Sequence, residues 1–406
     1  MTTSRPLEDN QLLSRFQALD GFLREHQALW RPRPFTQLLL PWEAEHEALA
    51  TWLRQRSLSE AEAAHNQPER LPAPAPFPQL ATLASQLCEI GELSTIELPL
   101  ASQRLNVDVP GRKWQQIEAF ARHLGFAQQP RHWLDWCSGK GHLGRRLLQA
   151  DRQTLTCLEY DQALVEAGHA LSQHHDLSAE HLLQDVLAED AGRHLGNDHT
   201  AVALHACGDL HVRLMQLASR QGCRQLAIAP CCYNRIQTAQ YQPLSTAAIA
   251  SDLQLSIDDL GLPLSETVTA GARIRRQRDE SMARRLGFDL LQRNLRGKDD
   301  YLPTPSLPVS WLHKPFADYC RELATLKGLQ IDQSPDWDAL QAAGWQRLAQ
   351  VRNLELLRNL FRRPLELWLV LDRALYLQEQ GYRVQLGVFC QQPLTPRNLM
   401  LLAERS

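Results

Sequence analysis

The residues fit for chemistry gather between positions 135 and 234. Asp135, the run C-S-G-K-G-H-L-G (Cys137, Ser138, Gly139, Lys140, Gly141, His142, Leu143, Gly144), Glu159 and Asp185 form an acid–glycine–acid series. The apolar stretch HWLDWC runs straight into those glycines, and a basic-apolar helix follows. Such a turn receives an anionic or ribose-bearing ligand. Gly139, Gly141 and Gly144 spell G-x-G-x-x-G, and Glu159 lies where an acid meets a ribose. Taken alone, that pattern fits an NAD-dependent oxidoreductase; glycines that serve only close helix–strand packing are the plainer alternative. Three features favour S-adenosyl-L-methionine. Asp135 sits inside the first strand, at the cofactor's amino-acid end. Asp185 follows the third strand, on the adenine side. The chain also finishes as helix, strand, loop and strand, which suits an antiparallel last strand. The cofactor is cationic at sulfur and has no phosphate, so acids around the turn suit it electrostatically.

A second group lies further on. His205 and Cys207 are two apart on a strand and share one face if the strand persists. Cys231 and Cys232 end the next strand, followed by Tyr233. In a parallel sheet both groups reach the carboxyl edge, where ligands of open α/β sheets bind. His205 or Asp209 would then take the proton that leaves an attacking hydroxyl or amine. Tyr233 would stack on a planar substrate or sit at the rim. A zinc site is an alternative, but no C-x-x-C is present and adjacent cysteines ligate one tetrahedral ion awkwardly. Small cysteines packing a strand end is another. The expected ligand set therefore contains no metal.

Elements that would position these groups follow from periodicity. Strands are expected at HWLDWC, TLTCLE, HLLQDV, TAVALHAC and RQLAIAP, with helices between them, so βαβ units and a parallel sheet are implied. The expected fold is α/β: a Rossmann-like, seven-stranded sheet with an antiparallel last strand, a helical N-terminal region and a helical insertion. The segments are 1–66, helical; 67–79, a Pro-rich linker; 80–131, a helical lead-in; 132–239, the cofactor-binding core; 240–350, an arginine-rich helical insertion; and 351–406, the core's last helix and two strands. Asp372 and Arg373 interrupt the apolar last helix and read as a buried pair supporting the sheet.

The formal net charge of −3 excludes a globally basic nucleic-acid binder, so any such contact must be local. The local candidate is GARIRRQRDESMARRLGFDLLQRNLRGK, where Arg273, Arg275, Arg276 and Arg278 would meet phosphates. Its alternative is a solvated helix paired with Asp279, Glu280 and Asp289. MTTSRPLEDNQ has no apolar signal core, no run is long enough for a membrane, and the nine cysteines are an odd number; a cytoplasmic chain with reduced thiols is expected.

D-W-C-S-G-K-G-H-L-G, H-A-C-G-D-L (205 to 210) and P-C-C-Y-N (230 to 234) together resemble one branch of the class I methyltransferases. That branch holds the glutathione S-transferase C-terminal domain-containing protein, allied methyltransferase-like proteins and the eukaryotic tRNA 2′-O-methyltransferases of the acceptor stem. R-K-W-Q-Q (112 to 116) and T-P-R-N (395 to 398) are similar to its flanks. The branch pairs a C-G after the fourth strand with a C-C after the fifth, and has Cys137 in place of the usual first glycine. The tRNA enzymes follow C-C with histidines, where this chain has Tyr233 and Asn234. The resemblance implies S-adenosyl-L-methionine and methyl transfer, to RNA first, to protein second and to a small molecule third. A non-catalytic cofactor-binding scaffold is a further alternative, against which the intact glycine turn stands.

Overall fold

Central parallel strands are covered on both faces, so they read as nearly unbroken apolar runs. HWLDW, TLTCLE and QLAIAPC do so here and form the middle of one sheet. The computed structural model describes residues 5–102, 104–107, 109–148, 153–265, 271–331 and 335–405. Its strands are β1 (Leu7–Glu8), β2 (His132–Trp136), β3 (Thr154–Glu159), β4 (Ala179–Leu183), β5 (His199–Cys207), β6 (Gln225–Cys231), β7 (Arg383–Val388) and β8 (Leu399–Glu404). They form an eight-stranded sheet in the order β1-β7-β8-β6-β5-β2-β3-β4. β4, β3, β2, β5 and β6 run parallel, while β8 lies antiparallel between β6 and β7. The fold is the expected Rossmann-like sheet with its antiparallel last strand. The strand count is one higher than expected because β1, a two-residue edge strand too short to show a pattern, pairs with β7.

Chain contacts divide the protein into two units, 1–24 with 87–264 and 363–406, and 25–86 with 265–362. The sheet belongs to the first. Its helices are α1 (Asn10–Glu25, whose last residue belongs to the second unit), α2 (Gly111–Ala121), α3 (His142–Leu147), α4 (Gln162–His174), α5 (Asp209–Arg220) and α6 (Arg362–Glu379, whose first residue does too). Ile117 and Phe120 of α2 pack with Trp133, Leu155, Val202, Ala227 and Met400 in one core. Phe16 of α1 meets Trp368 of α6 with ring centroids 5.1 Å apart.

The second unit is helical, with Glu47–Gln55, Leu58–Ala64, Ala272–Arg296, Phe316–Leu326 and Trp337–Asn359 as its main helices. The helices Glu47–Gln55 and Leu58–Ala64 and the arginine-rich helix thus share a unit, although periodicity draws them as separate segments. Contacts between distant segments leave no local signature. No helix among the described residues is long and apolar enough to cross a membrane.

Strand order turns back between β2 and β5, so a crevice opens at the carboxyl ends of these strands. The end of β2, the end of β3 and the end of β5 all deliver their residues there.

Candidate active site

The turn after β2 is built from left-handed residues. Cys137 has φ +57°, Gly139 φ +57° and Gly141 φ +70°. Ser138 N–H donates to the Leu158 carbonyl (3.0 Å), and Gly141 N–H to the Ser138 carbonyl (2.9 Å). Two carboxylates then occupy amides that a dinucleotide site would aim at phosphate. Glu159 Oε2 accepts from Gly139 N–H at 2.8 Å, and Asp135 Oδ2 accepts from Gly144 N–H at 2.9 Å. Glu159 Oε1 also accepts from the N–H groups of Tyr160 and Asp161. Two acids that already occupy these amides leave a pyrophosphate without its donors and suit an ammonium or sulfonium instead. The donor set therefore fits S-adenosylmethionine and argues against the nicotinamide alternative.

Asp135 is 2% exposed, and burial pushes its carboxyl up to about 7. Asp185 is exposed beyond β4, its Oδ1 accepting from Leu187 N–H at 2.9 Å. Beside it a hollow of about 450 Å³ is lined by Leu187, Asp209, Val212, Arg213, Ile236 and Thr238 among others. Under the turn, burial and then Arg145 push both His142 and His181 down to about 4.

These shifts set how acid acts on stability. A histidine held neutral in the fold but free to protonate near its ordinary pKa when unfolded contributes stability that is full above that value. The contribution is lost as pH falls towards 4, at a cost of up to about 3 kcal/mol per residue. Fully buried His211 is pushed well down, by burial and then Arg373, and adds in the same sense. Asp135 opposes them, because its raised pKa makes the native state bind a proton that the unfolded state releases between about 4 and 7. Three histidines outweigh one carboxyl. Urea midpoints are therefore expected to fall between pH 6.5 and 4.5, more steeply in Asp135→Asn; a flat profile, or a shallower one in the variant, would refute this balance.

β5 does not persist as a regular strand to its end. Its register against β6 shifts between Leu204 and Cys207, and His205 takes φ +69°. The bulge separates the two side chains expected on one face. His205 Nε2 meets Gln116 Oε1 of α2 at 2.7 Å, whereas Cys207 Sγ lies 3.7 Å from Cys231 Sγ. Burial, with Lys113 adding, lowers the His205 pKa, so its ring is neutral near pH 7. With the Gln116 oxygen accepting, Nε2 carries the proton and Nδ1 keeps its lone pair. Gln116 also donates to the Leu394 carbonyl at 3.1 Å, as Arg112 does at 2.8 Å. The R-K-W-Q-Q segment and the loop containing T-P-R-N therefore meet beside His205. Gln116 and Lys113 were visible only as flank residues, because the partner each one faces lies far along the chain.

Gly208 permits the next step. Its φ is +52° and any Cβ there would lie inside the Arg235 carbonyl. Asp209 then starts α5, its Oδ2 accepting from Gln237 N–H at 2.8 Å, so that carboxylate braces a loop.

Tyr233 departs from expectation. It neither lines the crevice nor sits at its rim. Its ring is fully buried, its hydroxyl donates to Glu366 Oε1 (3.3 Å), and Arg373 stacks on it at 5.3 Å. Cys231 is buried, while Cys232, half-buried, takes φ +47° and has its thiol pKa lowered chiefly by the hydrogen bond from Cys231.

The arginine-rich segment is one helix of the second unit. Arg278 pairs with Glu62 (3.1 Å) and Asp279 (3.2 Å), and Arg284 with Glu280 (2.6 Å). Of the four candidate arginines, Arg273, Arg275 and Arg276 are exposed, with no ion pair among the described residues.

A family profile described as a methyltransferase domain matches residues 112–239. No curated protein sequence matches the chain. Among solved structures it is similar to M. capricolum TrmK in complex with S-adenosyl-homocysteine, at 12% identity and TM-score 0.22, covering 32% of this chain and 52% of that one. Cofactor-bound Rv0187 from MTB matches at 18% identity and TM-score 0.23, covering 43% and 73%. Coclaurine N-methyltransferase bound to N-methylheliamine and S-adenosyl-homocysteine matches at 14% identity and TM-score 0.26, covering 85% and 90%. The chain spans about half the length of the TrmK chain. Residues 112–239 thus match a methyltransferase domain, and S-adenosylmethionine is its cofactor.

Proposed function

We propose that this chain transfers a methyl group from S-adenosylmethionine to a nucleophile on RNA. The observation that carries methyl transfer is the pair of carboxylates inside the glycine turn, which suits a cationic, phosphate-free cofactor. Asp135 and the Cys137–Gly144 turn, including Ser138 and His142, hold the methionine part. Glu159 takes the ribose hydroxyls and Asp185 the adenine side. When bound, the cofactor supplies a methyl already activated on its sulfonium. The chain's own task is alignment and removal of one proton. His205 is suited to that, with Nε2–H pinned by Gln116 and Nδ1 available as the acceptor. Asp209, Cys231 and Cys232 shape the same edge.

RNA is supported by Arg273, Arg275 and Arg276, which are exposed and have no ion pair among the described residues, as phosphate contacts need. Likeness to the branch with the acceptor-stem tRNA enzymes points the same way, on the H-A-C-G-D-L and P-C-C motifs. Protein is the second reading, favoured by the ion pairs that engage Arg278 and Arg284. A cytoplasmic location accords with either.

The test is transfer from radiolabelled S-adenosylmethionine into extract of cells lacking the gene, followed by ribonuclease or protease. Label lost to ribonuclease, and reduced by reversing the charge of Arg273, Arg275 and Arg276 together, is the expected result. Label lost only to protease replaces RNA with protein.

A further inference from the structure

Three thiols meet at the carboxyl edge of the sheet, outside the roles assigned above to the glycine turn. The Sγ atoms of Cys207, Cys231 and Cys232 all lie within 4.8 Å of one another, with Cys207 and Cys231 at 3.7 Å. Neighbouring residues on an extended strand point to opposite faces, so adjacent cysteines should not converge. They do here because Cys232 leaves the strand with φ +47° and turns its thiol back beside that of Cys231. The bulge in β5 does the same for Cys207, freeing it from the side to which His205 points. Left-handed backbone at a non-glycine residue is costly and persists only where its surroundings enforce it. Three of the five such residues among those described, Cys137, His205 and Cys232, surround this corner.

We propose that Cys207, Cys231 and Cys232 hold a thiophilic d10 cation, zinc or copper(I). Zinc–thiolate bonds of about 2.3 Å in tetrahedral geometry place sulfurs about 3.8 Å apart, which matches the Cys207–Cys231 separation. Each ligating thiol gives its proton to solvent, so uptake releases protons and strengthens as pH rises. Cys207 and Cys232 are only half-buried, so an ion can enter from the crevice. No fourth His, Cys, Asp or Glu atom joins the cluster among the described residues. Three protein ligands are the count of zinc sites that keep one position for water or a substrate atom. This inference does not rest on the methyl-transfer reading.

The full chain, purified under reductant and stripped with chelator, is titrated with zinc against a chromophoric competitor, and separately with copper(I). S-adenosyl-homocysteine binding is measured on the same samples. One ion per chain is expected, with proton release and three thiols protected from a thiol reagent. Cobalt substitution should give sulfur-to-metal charge-transfer absorption. Cys232→Ser should weaken the bound ion by ~100-fold or more, at least the upper cost of losing an outer-shell partner, while circular dichroism stays that of the parent. Preference for copper(I) over zinc supports the same site and names its ion. Substoichiometric uptake of both ions overturns the proposal, as does uptake unchanged in Cys207→Ser and Cys232→Ser, or a Cys207–Cys231 disulfide forming with no metal bound. Loss of S-adenosyl-homocysteine binding alone would count against the cofactor site and leave this one standing.

Discussion

Gly141→Val is expected to weaken S-adenosyl-homocysteine binding by more than ~100-fold and to destabilise the fold by about 2–5 kcal/mol. Two independent penalties act. The backbone at Gly141 is left-handed, at φ +70°, a conformation that a β-branched residue resists. A Cβ there would also lie 2.6 Å from His181 Cε1 and 3.0 Å from Cys157 Sγ. His181 cannot yield cheaply. Its Nε2 is tied to Ser172 Oγ at 2.9 Å, and Gly168 lies so close to the ring that a Cβ there would be 2.5 Å from Nδ1. The turn must therefore move, and with it the Gly139 amide that meets Glu159. Titration calorimetry reads the affinity, and urea denaturation reads the stability. A folded Gly141→Val chain that binds within about threefold of the parent would refute the site. Glu159→Gln removes the charge with little change of shape. It keeps one oxygen acceptor but turns an NH2 donor towards backbone N–H groups that the other carboxylate oxygen accepts, so stability should fall by about 1–3 kcal/mol while affinity falls roughly 10- to 100-fold, the worth of a charge-assisted hydrogen bond. Unchanged affinity would remove Glu159 from the ribose.

What the sequence shows and what it hides divide along the range of the interactions. β2 and β3 appear where their apolar runs put them, because burial on both faces is a local constraint on every residue. The glycine turn and its two acids are equally local, and the structure brings them into hydrogen-bond contact. β4 starts at Ala179, two residues before the apolar run, since an edge strand needs apolar residues on only part of one face. β1 has too few residues to carry a period. The bulge at His205 is invisible to any alternation rule, as it is set by the loop at Arg235 and by α2 rather than by the strand. Tyr233 is drawn inward by Glu366, 133 residues away. The convergence of adjacent cysteines depends on one backbone angle, which residue type alone does not report.

Asp372→Ala is expected to cost about 3–5 kcal/mol, the penalty for breaking a buried charged network by removing one member. Asp372 and Arg373 are both fully buried, as the interruption of an apolar helix suggests, but they do not bond to one another. Each reaches the same hydroxyl. Tyr241 donates its proton to Asp372 Oδ2 and accepts from Arg373 Nη1 at 3.0 Å. Asp372 further accepts from the N–H and hydroxyl of Ser245, both at 2.7 Å, and from Leu244 N–H at 3.0 Å. Arg373 Nε donates to His211 Nε2 at 2.7 Å, and His211 Nδ1–H donates to the Ala206 carbonyl at 2.9 Å. The chain of bonds therefore runs from α6 to the bulge that orients His205 and Cys207. Truncating Asp372 strands two backbone amides and two hydroxyls, and leaves a buried guanidinium without the carboxylate that shares the Tyr241 hydroxyl with it. Because the network acts as a unit, Asp372→Leu combined with Arg373→Met should cost less than the two single changes summed, by about 1–3 kcal/mol. Chemical denaturation of the three variants measures that coupling. Additive losses, or an Asp372→Ala cost below about 1 kcal/mol, would show that the two charges are independent of one another and that the bulge is held by its own backbone.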